Sequence, residues 1–208
     1  MKTIKMITLG LVASCLLASG LNAQGLLGER YLGINGGWER FENGVEEDGW
    51  GAGVEVNAPF PMADPRATYG SDLRLKGNYI DVFDRDIIDV EGTLRAYMTS
   101  ERGTFKPFLG AGFGWLDFDV VDTTYVPVEA GVELTAGQFS LIPFFRYTFA
   151  LDSAVDDFWS AGATGVLWMA ETWGITASVD YRNYDDVGVF DEGVDRGIGA
   201  RLGLVFAY

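Results

Sequence analysis

The chain has 208 residues, with 30 acidic against 15 basic side chains, one cysteine and no histidine. A net charge of −15 repels nucleic acid and other polyanions, so no direct polyanion partner is suggested. A single cysteine excludes internal disulfides and thiolate metal clusters, and the missing histidine removes the usual general base near neutral pH.

The first element is a leader. Met1-Lys2-Thr3-Ile4-Lys5 is basic, the run from Met6 to Leu21 is apolar, and Leu21-Asn22-Ala23 ends in a small residue. That is the pattern of a secretory signal peptide, residues 1–23, cleaved after Ala23. The apolar run is too short for a transmembrane helix, which takes about 20 residues. Val12-Ala13-Ser14-Cys15 also fits a lipoprotein cleavage pattern, but Leu16-Leu17 continue the apolar run where a lipidated chain turns polar. Residues 24–208 then form one domain without thiols.

Beyond the leader nothing has helical periodicity. Apolar residues alternate with small or polar ones, which predicts strands at about 30–41, 49–58, 71–82, 86–98, 105–116, 124–135, 139–150, 157–168, 172–182 and 195–208. Acidic residues cluster where each odd strand hands over to an even one: Glu42, Glu46, Glu47 and Asp48; Asp81, Asp84 and Asp86; Asp117, Asp119 and Asp122; Asp152, Asp156 and Asp157; Asp185, Asp186, Asp191, Glu192 and Asp195. The other connections, such as Ser100-Glu101-Arg102-Gly103 and Ala136-Gly137, are short and nearly uncharged. In an up-and-down sheet one end is therefore acidic and the other is not. The long, proline-rich connection between Pro59 and Gly70 fits neither pattern.

The faces separate a soluble sandwich from a membrane barrel. Strand ten alternates Ile198, Ala200, Leu202, Leu204, Phe206 and Tyr208 with Gly197, Gly199, Arg201, Gly203 and Val205. Strand nine alternates Trp173, Ile175, Ala177, Val179 and Tyr181 with Gly174, Thr176, Ser178, Asp180 and Arg182. Small residues with isolated charges of both signs suit a narrow lumen, not a wet sheet face. The apolar face then meets lipid. Trp38, Trp50, Tyr79, Trp115, Tyr147, Trp159 and Tyr181 are expected as an aromatic girdle at the acidic end, and Phe108, Trp173, Phe206 and Tyr208 as one at the other.

Three stretches resemble a known family. They are Leu32-Gly33-Ile34-Asn35-Gly36-Gly37-Trp38, Lys106-Pro107-Phe108-Leu109-Gly110-Ala111-Gly112-Phe113-Gly114-Trp115, and the terminal Ala200-Arg201-Leu202-Gly203-Leu204-Val205-Phe206-Ala207-Tyr208. Together they are similar to the small outer-membrane β-barrel proteins, the porin-like family that includes the membrane domain of outer membrane protein A. The resemblance implies an all-β, closed, antiparallel, up-and-down transmembrane β-barrel in the outer membrane of a Gram-negative bacterium. It also implies that the barrel-assembly machinery reads Leu202, Leu204, Phe206 and Tyr208 as an assembly signal. The commonest members have eight strands, so eight stands as the alternative to the ten counted. Oligomeric state is left open.

No enzyme and no cofactor is expected. Without histidine or a mature cysteine, carboxylates alone would have to act as acid and base. Glu129 and Glu133 share a face, but four strand residues separate them by about 13 Å, too wide for a catalytic pair. The glycines of Gly110-Ala111-Gly112-Phe113-Gly114 lie on one strand face, without the helix that a phosphate loop needs behind it. Asp117, Asp119 and Asp122 are weak metal candidates: hard oxygens lie close together, but the glycine and glutamate of a calcium loop are absent. A solvated loop face is the plain reading, with loose divalent-ion bridging to lipopolysaccharide, beside the outer-membrane lipid, as an intermediate one.

The inward charges are the main candidate site. By parity Glu39, Glu55, Asp72, Asp89, Glu91, Glu129, Glu133 and Asp180 point inward, as do Arg74, Lys76, Arg95, Arg146, Arg182 and Arg201. Eight negatives nearly balance six positives, as expected where an unpaired charge would be costly. Three functions remain open: a structural or interaction barrel that displays acidic loops, a narrow pore or transporter for small ions or solutes, and a soluble secreted β-protein.

Overall fold

A computed structural model describes residues 25–42, 46–60, 68–82, 85–100, 102–117, 122–152, 156–187 and 194–208. The expected signal peptide, Asp119 and most of the connection between Pro59 and Gly70 lie outside these residues.

Ten strands run up and down: β1 Tyr31–Glu42, β2 Glu46–Pro59, β3 Tyr69–Val82, β4 Arg85–Met98, β5 Phe105–Asp117, β6 Asp122–Ala136, β7 Phe139–Ala150, β8 Phe158–Ala170, β9 Trp173–Val187 and β10 Val194–Ala207. Each pairs antiparallel with the next, and β1 pairs with β10, so the sheet closes and no edge is left unpaired. Strands of 12 to 15 residues rise about 40–50 Å; at the 35–45° tilt usual for such barrels that covers roughly 28–41 Å of height. That height spans a bilayer core with some strand left above it. At the end with the short turns, Gly137 adopts φ 60°, a left-handed conformation that suits the two-residue β6–β7 turn.

Outside, the barrel is apolar around its girth. Leu32, Ile34, Val54, Leu75, Val90, Leu109, Phe113, Val179, Ile198 and Leu202 all point away from the lumen and are exposed. A soluble protein would bury this band, so the soluble alternative is set aside. Rings rim the band. Trp50, Tyr79 and Tyr147 stand exposed toward the acidic end, and Tyr69, Trp173, Phe206 and Tyr208 toward the other. The upper rings use their polar atoms: Tyr79 donates to Asp86, Trp115 Nε1 to Asp122 at 3.4 Å and Tyr147 to Asp157 at 3.4 Å. The hairpins at that end set like charges opposite one another, Glu42 against Glu46 and Asp117 against Asp122, an arrangement unfavourable in itself. Those ring donors, and Arg196 on Glu42 at 3.1 Å, offset it.

Two sequence expectations change. Phe108 is no girdle residue: it shares the inward parity of Gly110 and is buried in the lumen at the short-turn end. Strand β9 continues to Val187, beyond the expected 182, because Tyr184 extends the inward alternation and packs on Phe158 at a ring separation of 5.0 Å.

Candidate functional site

The lumen holds three layers of side chains. At the acidic end Phe41, Ile80, Val82, Ile87, Leu116 and Tyr125 form an apolar layer, with Tyr184 packed against it. At the short-turn end Tyr31, Phe108, Ile142, Val166, Trp168 and Val205 form a second, joined by Leu26 and Leu27. Between them lies a belt of charge.

All fourteen candidate charges face this lumen. Glu91 accepts from Arg146 Nη1 at 2.7 Å, from Thr93 at 2.8 Å and from Arg74 Nη2 at 3.5 Å. Glu129 accepts from the same two guanidiniums, Arg146 Nη2 at 2.6 Å and Arg74 Nη2 at 2.8 Å. Two glutamates and two arginines from β3, β4, β6 and β7 thus form one closed cluster. On the other side Glu39 pairs with Arg201 and, at 3.4 Å, with Arg182, which also donates to Asp180 at 2.6 Å. Asn78 joins the halves: it accepts from Arg201 Nη1 at 2.7 Å and donates to Asp89 at 2.9 Å, while Tyr125 donates to both Asp89 and Glu91.

Nearer the short-turn end Arg95 donates to Asp72 at 2.7 Å and to Asn57 at 3.0 Å, and Glu55 takes the Tyr31 hydroxyl. Glu133 lies beside Lys106 at 3.7 Å. Lys76 sits in register between Glu55 and Glu91 and, among the described residues, has no ion pair within 4 Å. Glycines make room for this crowding. A Cβ at Gly199 would come within 2.8 Å of both Glu39 and Asp180, and one at Gly110 within 3.0 Å of both Glu129 and Arg95.

A cavity of about 220 Å³ runs past the belt, from Leu26 and Phe108 at one end to Phe41 and Leu116 at the other. On the β8–β9 wall the hydroxyls of Thr164, Thr176 and Ser178 line the cavity beside the charged Asp180 and Arg182. Of the weak metal candidates, Asp117 and Asp122 face each other across the β5–β6 hairpin, and Asp122 is already engaged by Trp115. Among the described residues no group of three candidate ligands is placed to hold a metal ion.

Sequence parity did not single out Lys106, Asn57, Asn78, Tyr125 or residues 25–29. Lys106 carried a usable signal, since it shares the parity of Gly110, Gly112 and Gly114. The segment at 25–29 carried none, because a leucine pair outside any strand has no period.

The chain matches no protein-family model and no curated protein. Among solved structures it is similar to an outer membrane channel from Pseudomonas putida F1, at 9% identity over 89% of this chain and 97% of that one, with a TM-score of 0.56. It is also similar to Neisserial surface protein A, at 8% identity over 86% of this chain and 97% of that one, with a TM-score of 0.45. At such identities the likeness concerns fold, and the first of the two carries it. The chain folds as a ten-stranded β-barrel of the outer-membrane type.

Proposed function

We propose that the protein is an integral barrel of the outer membrane whose lumen is closed at rest, and that it serves as a structural or interaction element displaying acidic loops outward. One observation carries the reading: Glu39, Asp72, Glu91, Arg95, Glu129, Glu133 and Arg201 are all buried inside the lumen. Charges lining an open water path would be wet. Here they neutralise one another between two apolar layers, the arrangement of a filled barrel interior. In this reading the leader is removed after Ala23, and the outward alternation of Leu202, Leu204, Phe206 and Tyr208 is the signal read by the assembly machinery. No catalytic role is part of it. The test is single-channel recording of the folded protein in planar bilayers, and silence across the applied voltages is the expected result.

The cavity beside the belt favours a second reading, a narrow gated path for small ions or solutes. Steady conductance from the folded, full-length protein would select that reading over the first.

A further inference from the structure

The short-turn mouth is not closed by strands alone. Residues 25–29 precede β1 and lie inside the lumen, where Leu26 and Leu27 are 6% and 1% exposed. They pack into a pocket formed by Phe108, Ile142, Val166 and Trp168. Four strands hold the backbone of this segment. Glu133 of β6 accepts the Leu26 N–H at 2.6 Å and the Leu27 N–H at 3.2 Å. Asp72 of β3 accepts the Gly28 N–H at 2.8 Å. Lys106 of β5 donates to the Leu27 carbonyl at 3.1 Å, and Asn57 of β2 to the Glu29 carbonyl at 2.7 Å. Gly28, at φ 82°, makes the turn that keeps this ladder in reach.

The partners match a peptide backbone atom for atom: carboxylates meet N–H groups, and an ammonium and an amide meet carbonyls. Glu133 is fully buried, and its one ion-pair partner among the described residues, Lys106, is 3.7 Å away; the two backbone amides also donate to it. Leu26 also lines the cavity that reaches to the outer apolar layer.

We propose that the short-turn mouth is a socket for a tightly turned peptide bearing two adjacent leucines, occupied in cis by residues 25–29, where the Glu29 N–H donates back to the Leu26 carbonyl at 3.3 Å, and that this segment is a removable stopper on the lumen cavity. The proposal rests on the closed-lumen reading and names what closes the short-turn mouth.

The test compares the mature protein with a variant lacking residues 25–29, both required to show heat-modifiable gel migration, in planar bilayers. The mature protein should be silent and the truncated one should open steady channels, with current at least about tenfold above the silent baseline. A synthetic Gly-Leu-Leu-Gly-Glu peptide added on the short-turn side should close it again, and the same peptide with serines for leucines should not. A folded truncated barrel that stays silent overturns the proposal, and so does one that conducts but ignores the peptide. Should the truncation fail to fold, the double variant Leu26→Ser, Leu27→Ser leaves every strand intact. It should open the path likewise, and its silence would equally overturn the proposal. Conductance already present in the full-length protein would instead defeat the closed-lumen reading, so the two failures are distinguishable.

Discussion

Two arginine–aspartate pairs in this barrel have nearly the same geometry in opposite surroundings. Arg95 meets Asp72 at 2.7 Å, with side chains 3% and 0% exposed. Arg40 meets Asp48 at 2.9 Å at the acidic rim, with side chains 37% and 55% exposed. Distance alone would rank them together, whereas solvation separates them. At the rim, water screens the attraction and resolvates either group when the other is removed. In the lumen a lone charge has no such refuge. The rim pairs answer local crowding of acids in the hairpins, and the belt pairs fill the middle of the lumen.

The sharpest way to break this contrast is at a belt carboxylate that two arginines share. Glu129→Ala leaves Arg74 and Arg146 sharing Glu91 alone, and should lower unfolding free energy in a urea titration by about 3–5 kcal/mol. A loss that small amounts of salt abolish would mean that the belt is wet. At the other extreme Arg40→Ala should leave the urea midpoint unchanged, because Arg40, Glu46 and Asp48 all stand in solvent. A clear fall in that midpoint would show that the rim is organised more tightly than its exposure implies.

The same contrast shows what could be read from the chain itself. Period-2 alternation carried the strand count and the parity of the fourteen lumen charges, because it depends only on neighbours along one strand. Pairing partners did not follow. Arg74 reaches Glu129 from β3 to β6, and Arg201 reaches Asn78 from β10 to β3, across the lumen and not between adjacent strands. Such chords depend on barrel tilt and stagger, which alternation does not encode. Phe108 was misplaced because its ring suggested a girdle while its parity with Gly110 pointed inward. Here parity was the better guide.

The measurement closest to the central claim is a double-mutant cycle on Arg95 and Asp72 in urea unfolding, with Arg40 and Asp48 as the reference cycle. For the lumen pair, Arg95→Ala should cost about 3–5 kcal/mol, and the double variant should cost clearly less than the two single losses added together. The rim cycle should show no coupling. Lumen losses that add to within about 0.3–0.5 kcal/mol would mean that Arg95 and Asp72 are each solvated on their own, contradicting a closed, ion-paired lumen.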